Sequence, residues 1–538
     1  MRIILYLIFY CSLCFAQEAQ QFNSSNLNLT NLQWYPLRIY FQITKQIEQN
    51  YKLVELLKQV SIYFQKTLLV RRSQEEIDVQ QIAYKMALDQ LDEEVFMEQN
   101  NEFDTVIFVG VKNMTDYKAK CDSINFDSIT KRPNVCQLYF KDGLQFGTTN
   151  FNHQKMLKTI IHETIHCLGL DKNVYQLFYN SSSGEFYKNL MPSNKTTELL
   201  QLNRSREYLK FYFGCGDIQG IEMENQGQEA TAWKHFEQQI FLNDIMQGTH
   251  FDDIMISKLT LMFLQDTGFY QLAEHKADQI YYGKNRGCDF IKKRCDDHQF
   301  TEFCQIENQK GCSFTNSGVG SCQKSKLSGE CKFFQVFEDY NCKDPSQMKL
   351  EQKIIQHFGY DSICVQGSLS NQKMFSSFSC QKFHCDVDDN MILTVGKLSV
   401  NCSLFDKLQG DAYYGNITCP SNSKIICQND NYCPNHCNEK GVCVNKECIC
   451  THGYSGKDCS INCNGYRYKD QCLEKCPQNL YTYEQIKYCV GCPGNCKECS
   501  SFNNCTLCDD NYKLVSGFCD FTYSSILTLV ILYLFLLQ

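Results

Sequence analysis

The chain has 538 residues and a mass of 62.6 kDa, which leaves room for about three domains. Hydrophobic residues make up 43% and charged residues 21%, a globular balance that excludes wholesale disorder and a collagen-like chain. The net charge is −8 and no basic domain stands out, which argues against a nucleic-acid partner.

The N-terminus has the pattern of a secretory signal peptide covering residues 1–16. Arg2 supplies a positive charge, Ile3–Tyr10 is apolar, and small residues precede a cleavage site after Ala16. The alternative is a membrane span, which needs a longer apolar run. Export agrees with the 35 cysteines, since so many thiols indicate an oxidising compartment. A short N-terminal segment, 17–33, follows.

The next region contains no cysteine before Cys121, so packing must stabilise this part of its core. Apolar, β-branched and aromatic runs predict strands, and apolar residues at helical spacing predict helices. The expected strands are Leu37–Thr44, Thr105–Val111 and Cys136–Phe140, and the expected helices are Val54–Leu69 and Lys155–Leu168. Gly169 is well placed to end the second helix. The predicted fold class is α+β.

The helix over Lys155–Leu168 carries the sequence His162-Glu163-Thr164-Ile165-His166. Residues i and i+4 share a helix face, so both imidazoles can bind one zinc ion, and Glu163 can reach a water on the metal. That water can attack a carbonyl carbon after the carboxylate takes its proton, which is the chemistry of peptide-bond hydrolysis. The alternative is an ordinary amphipathic helix with two surface histidines. Gly169 extends the motif to the start of the metzincin signature.

The third ligand of the compact metzincin signature would stand at Asn173, so it must come from further along the chain. His235 is the favoured candidate because Met246 follows it, as the methionine turn beneath a metzincin zinc requires. His250 is the competitor, but Met255 behind it lies in an apolar run typical of a helix core.

Several segments around these residues resemble the leishmanolysin family of surface metalloproteases. That family has a long insertion before the third histidine and a methionine turn after it. The likeness runs from about Trp34 to about Cys427, and it is weaker after Cys342. Its segments are Trp34–Ile39, Lys131–Pro133, Gly214–Gly216, Glu222–Gly227, Phe263–Tyr270 and Tyr282–Cys288.

This resemblance implies a metzincin-type catalytic domain, with a twisted sheet, an active-site helix and a methionine turn. It implies His162, His166 and His235 as ligands of one catalytic Zn²⁺, Glu163 as general base, and Met246 as the methionine of the turn. The catalytic region would span 34–275, with an insertion before the third histidine. A cysteine-containing C-terminal protease subdomain would span 276–427.

Two positions depart from the family pattern. Asp244 is out of step with the acidic residue that usually precedes the methionine, which puts a role for its carboxylate in doubt. Cys167 stands where the family usually has a small residue. It could be a buried thiol, the partner in an extra disulfide, or a thiol close to the metal; the first two are favoured because residue 167 points about 100° away from residue 166. Cys167 is also our candidate for the unpaired cysteine, since 33 remain after cleavage.

The cysteines after residue 427 form two groups. The spacing within 428–460 resembles an EGF-like module, which implies three bridges: Cys433 with Cys443, Cys437 with Cys448, and Cys450 with Cys459. The ten cysteines within 461–519 resemble furin-like repeats. Together these modules are predicted to be a rigid stalk that lifts the catalytic domain off the membrane.

Residues 520–538 end in an apolar run that no Lys or Arg follows, which favours a GPI-attachment signal over a short retained span. Both interpretations place the protein at the cell surface, on the extracellular face of the membrane; without either it would be a soluble secreted protease. In an exported protein, the Asn-x-Ser/Thr sequons are candidate N-glycosylation sites. The main candidates are Asn113, Asn180, Asn194, Asn203, Asn401 and Asn416.

The leading hypothesis is a membrane-anchored zinc endopeptidase that hydrolyses extracellular proteins or peptides, with a possible additional part in cell adhesion. The alternative is an inactive surface adhesion protein that kept the protease fold. Both need the same scaffold, but an inactive relative commonly loses the base or a ligand, and His162, Glu163, His166 and His235 are all present.

Overall fold

The computed structural model describes residues 27–521 with internal gaps, the longest at 78–102, 143–152, 191–198 and 348–355. The predicted signal peptide, the apolar run 522–538, His250 and Asn194 lie outside the described residues. Those that are described combine helix and sheet in the first half with short, disulfide-rich strands after it. The predicted mixture of helix and sheet followed by disulfide-rich modules is confirmed.

A four-stranded sheet forms the centre of the first region. Its order is Ile39–Ile43, Thr105–Lys112, Pro133–Lys141 and Ala119–Phe126, with the last strand antiparallel to its neighbour. Thr105–Lys112 is buried over most of its length, as its continuous apolar run predicts. All three predicted strands are therefore present, each within a few residues of its expected bounds.

The helices of the first region share one large core with this sheet. The second predicted helix is present as His153–Leu168, here called the motif helix, and it contacts the strand Ala119–Phe126. The first is present as Tyr51–Thr67, and the Asn50 side chain accepts the Leu53 N–H at its N-terminus. The other α-helices among the described residues are Lys45–Glu48, Asn203–Phe213, Lys258–Asp266, Gly287–Lys293 and Ser423–Gln428, the last of which packs in a separate core.

Smaller sheets complete the chain. In the first region they pair Trp34–Pro36, Leu68–Arg71 and Tyr270–Leu272, and Leu199–Leu200 with Ile221–Glu222. A three-stranded sheet contains Lys310–Cys312, Gly318–Lys324 and Lys332–Asn341. A six-stranded sheet follows in the order Leu398–Asn401, Met391–Val395, Met374–Cys385, Ser362–Asn371, Tyr413–Thr418 and Lys407–Gly410.

The last modules consist of short paired strands. The EGF-like module has Gly441–Val444 with Glu447–Cys450, and Tyr454–Ser455 with Ile461–Asn462. A sheet of Gln471–Leu473, Tyr466–Tyr468, Tyr488–Gly491 and Leu480–Tyr483 follows, then the pairs Cys496–Ser501 with Asn504–Cys508 and Tyr512–Val515 with Phe518–Phe521. The three EGF-like disulfides are paired as predicted.

The EGF-like module is not a free spacer. Val442, Val444 and Ile449 are buried in the same core as the catalytic region, and the Gln59 side chain donates a hydrogen bond to the Glu439 carbonyl at 2.9 Å. The prediction that this module belongs to the stalk is therefore wrong, because its hydrophobic face is used against the helix Tyr51–Thr67.

Candidate active site

The motif helix brings both of its histidines and Glu163 into the interior. Leu157, Ile160 and Ile165 anchor it in the core, and all its residues from Thr159 to Leu168 are buried. The helix ends where predicted, because Gly169 has φ +144°, a conformation that favours glycine. The turn that follows places the Leu170 carbonyl beside His166.

His235 reaches the same place on a loop held by backbone pairing with residues 222–224. Glu224 N–H donates to the His235 carbonyl, and Trp233 N–H donates to the Glu224 carbonyl, both at 2.8 Å. Trp233 has φ +69°, and its carbonyl accepts the Tyr175 hydroxyl at 2.8 Å. The structure therefore brings His235 to the motif helix; Asn173 is instead held by its own turn, with its N–H on the Asp171 carboxylate.

The Nε2 atoms of the three histidines converge on one point. The distance is 3.0 Å between His162 and His166, and 3.2 Å from each of these to His235. Nitrogen ligands of a tetrahedral zinc ion, each about 2.0–2.1 Å from the metal, lie about 3.3 Å apart. The spacing fits one metal ion bound by three imidazoles.

Each ring presents its other nitrogen to a backbone carbonyl. The Nδ1 atoms of His162, His166 and His235 lie 2.5, 2.8 and 3.1 Å from the carbonyls of Ile245, Leu170 and Thr231. A carbonyl only accepts, so Nδ1 carries the proton and Nε2 keeps its lone pair for a metal. Burial lowers the pKa of His162 to about 4 and that of His166 well below its ordinary value, which keeps both rings neutral. The donor set therefore fits a divalent transition metal.

Glu163 follows His162 on the motif helix, and its side chain is buried in a desolvated environment. Burial raises its pKa to about 8, although a backbone hydrogen bond from Cys121 opposes the shift. Lys120 and Lys234 also lower this pKa, while the charge of Asp122 raises it. A carboxyl group with such a pKa can both accept and release a proton near neutral pH.

The leishmanolysin family model matches residues 43–339, more than half of the chain. This chain belongs to the leishmanolysin family. A tenascin EGF domain model also matches residues 432–460.

Named relatives match part of the chain. The leishmanolysin-like peptidase of Caenorhabditis elegans is 31% identical over 180 residues, which cover 27% of this chain and 27% of the relative. The Drosophila melanogaster leishmanolysin-like peptidase is 26% identical over 236 residues, or 35% of each. Leishmanolysin of Leishmania donovani is 25% identical over 232 residues, or 42% of this chain and 38% of the relative. Each match spans well under two thirds of the relative.

The predicted methionine turn contains the first departure from the leishmanolysin pattern. Met246 is fully buried, and its carbonyl accepts the N–H of Phe236, next to the third histidine. The Asp244 carboxylate accepts the Met246 N–H at 2.7 Å and the hydroxyls of Ser257 and Thr260. These hydrogen bonds let the buried Asp244 carboxylate stabilise the conformation of the turn. The role of Asp244, which the sequence left in doubt, is therefore structural.

The second departure, Cys167, is in a disulfide with Cys121. The predicted extra bridge is thus present, and it ties the motif helix to the strand Ala119–Phe126. The suggestion that Cys167 is the unpaired cysteine is wrong: among the described cysteines the free one is Cys136, which is buried on the neighbouring strand with its thiol 3.5 Å from the Cys167 carbonyl. Burial raises the pKa of this thiol.

Other residues at the site gave little signal in the sequence. Lys234 pairs with the buried Asp171 at 2.6 Å and so links the loop of His235 to the turn after the motif helix. Leu327, from the C-terminal subdomain, packs so closely that a Cβ on Gly248 would lie 2.5 Å from it. Both contacts join segments far apart in sequence, so no local pattern marks them.

Proposed function

We propose that this protein is a zinc metalloendopeptidase with a metzincin-type catalytic domain. The observation that carries the proposal is the convergence of three Nε2 atoms within 3.2 Å, two of them from the helix that also carries the buried Glu163. His162, His166 and His235 would hold the ion and leave one coordination position for water. Zinc bound there lowers the pKa of that water and polarises the substrate carbonyl.

The chain's own residues supply the proton transfers. The Glu163 carboxylate accepts a proton from the attacking water, and the resulting acid gives it to the leaving amine nitrogen. Its pKa of about 8 suits both steps, because burial destabilises the charged form. The backbone hydrogen bond from Cys121 orients the carboxylate.

Extended peptide segments are the proposed substrates. The strand Ala119–Phe126 is at the edge of the central sheet as far as the structure describes it, and its Cys121 backbone touches Glu163. A peptide that adds to such an edge would align its own carbonyls along the site. The family membership supports this substrate class.

The proposed location is the outer face of the cell surface, reached through the secretory pathway. The disulfide-paired cysteines support export. Membrane attachment through the C-terminal run 520–538, as a GPI anchor or a span, stays a prediction. Over the residues that the structure describes, no helix is long and apolar enough to cross a membrane.

The test is zinc content and casein hydrolysis for the secreted wild type and for Glu163→Ala. We expect about one zinc per chain in both proteins, and a loss of hydrolysis of at least about 100-fold in the variant, since a general base contributes about 10²–10⁴-fold. Equal hydrolysis in the two would refute the mechanism. A folded wild type without zinc would refute the ligand assignment.

A further inference from the structure

The EGF-like module is joined to the catalytic region through a buried carboxylate. Asp278 is 5% exposed, and each of its carboxylate oxygens serves a different part of the chain. Oδ1 accepts the N–H of Asn445 in the module at 2.9 Å, and Oδ2 accepts the N–H of Ile256 at 2.9 Å. The Asp278 N–H also donates to the Ile256 carbonyl at 2.8 Å. The side chain is thus a bridge between the module and residue 256.

A second contact lies beside this bridge. The Asn431 side chain, near the start of the module, accepts the Gln279 N–H and donates to the Gln279 carbonyl, both at 2.8 Å. Its amide nitrogen also lies 3.6 Å from the Met255 sulfur. Residues 255–256 and 278–279 are therefore held from the module side at two points.

From residue 255 the hydrogen bonds continue to a metal ligand. Met255 N–H donates to the Asn243 carbonyl, and Ile245 N–H donates to the Met255 carbonyl, both at 2.8 Å. The Ile245 carbonyl then accepts Nδ1 of His162 at 2.5 Å. A carbonyl in that position sets both the tautomer and the orientation of a ligand histidine.

We propose that the EGF-like module is an intramolecular clamp that fixes the methionine turn, and that Asp278 is a positioning residue for His162. The inference rests on the proposed zinc site. The apolar face of the module is occupied by the catalytic region, since Val442, Val444 and Ile449 are buried there. This face therefore serves the enzyme's own active site and is closed to an outside partner.

The test compares the full chain with Asp278→Ala and with Glu447→Gln. Glu447 lies at the same interface, where its 57% exposed side chain pairs with Lys276, but it has no link to the methionine turn. It is the matched control, because an exposed ion pair contributes little. Zinc affinity is measured by competition with a chelator, and amide exchange is followed at Ile245 and Met255.

We expect D278A to weaken zinc binding by about 10-fold, the lower end for residues behind a metal ligand, and to speed exchange at both amides. We expect E447Q to change zinc affinity by less than about 2-fold. Hydrolysis by D278A should return to the wild-type rate in excess zinc, which a merely misfolded variant would not do. If D278A does not fold, D278N replaces it, because the amide can accept only one of the two N–H groups, and an intermediate loss of affinity is expected.

Unchanged zinc affinity in D278A, with faster exchange confined to residues 441–450, would overturn the clamp. That result differs from a failure of the proposed function, in which the wild type would bind zinc but hydrolyse nothing. Affinity and exchange would still test the clamp in that case, because neither depends on catalysis.

Discussion

At the scale of single residues, the second ring nitrogen of each proposed ligand histidine decides whether the first can bind a metal. All three are held by backbone carbonyls, so their tautomers depend on where the backbone of these segments lies. Two of the carbonyls belong to segments with their own anchors: Leu170 in the turn that Gly169 permits, and Ile245 in the methionine turn. Metal affinity therefore depends on the turns around the histidines as well as on the histidines.

The ligand assignment predicts different results for two histidine substitutions. We expect His235→Ala to lower zinc affinity by more than about 100-fold, because even residues behind a ligand cost about 10–100-fold. His250→Ala is the matched control and should bind zinc like the wild type. Zinc content after dialysis against a weak chelator distinguishes the two, and zinc loss in H250A alone would reverse the assignment.

The raised pKa of Asp244 predicts that the free energy of unfolding depends on pH. Burial raises its pKa to about 6 from an ordinary value of 3.8. A carboxyl group whose pKa is raised by folding stabilises the protein below pH 3.8, and this contribution is lost as the pH rises through 6. At neutral pH the charge costs about 3 kcal/mol, at 1.36 kcal/mol per pKa unit.

Asp244→Asn removes this charge and keeps the shape, and its amide can donate to Ser257. In the metal-free protein, we expect the melting temperature of the variant relative to wild type to rise between pH 4 and pH 7. Thermal unfolding in a chelating buffer measures it. A difference that stays constant over this range would mean that Asp244 remains charged throughout.

At the scale of elements, the motif helix and the strand Ala119–Phe126 act as one unit because the Cys121–Cys167 bridge joins them. The strand in turn touches Glu163 through the Cys121 backbone. The bridge therefore has two consequences: it lowers the conformational entropy of the unfolded chain, and it holds the strand against the Glu163 carboxylate.

Replacing both cysteines of this bridge with alanine should affect stability and rate together. The bridge closes 46 residues, for which the loss of chain entropy corresponds to about 4 kcal/mol. The matched control is Cys402→Ala with Cys419→Ala, a distant bridge across 17 residues worth about 3 kcal/mol. Both double variants should melt earlier, but only the first should lose kcat at a temperature where both are folded. Equal kcat values would show that the bridge has no role beyond stability.

Local elements were predictable from the sequence because their signals are local. A continuous apolar run predicts the strand Thr105–Lys112, and apolar residues at helical spacing predict the motif helix. Cysteine spacing within a short module predicts the EGF-like bridges. The partner of Cys167 was not predictable, since Cys121 meets it only when a strand packs on a helix. The choice of His235 as the third ligand rested on the methionine that follows it in the sequence. In the structure, backbone pairing with residues 222–224 holds His235 in place.

At the scale of the whole molecule, the core of the first region includes the EGF-like module. Val442, Val444 and Ile449 complete the core that contains the helix Tyr51–Thr67, and Asp278 ties the module to the catalytic region. The number of cysteines alone groups this module with the repeats that follow it. A high cysteine content indicates disulfide bonds, but it does not show which surfaces of the module pack against the rest of the chain.

Two truncations test where the enzyme ends. A chain ending at Asn462 keeps the module's disulfides and its last strand pair, so we expect its melting temperature and zinc content to match those of a chain ending at Asp520. A chain ending at Asp430 exposes the surface that three aliphatic side chains cover, each worth about 1.5–3 kcal/mol. It should lose roughly 5 kcal/mol or more, melt at a lower temperature, and be cleaved by trypsin within the catalytic region. If the chain ending at Asp430 were as stable and as resistant to trypsin as the one ending at Asn462, the catalytic region would be complete without the module, and the shared core would contribute nothing to its folding.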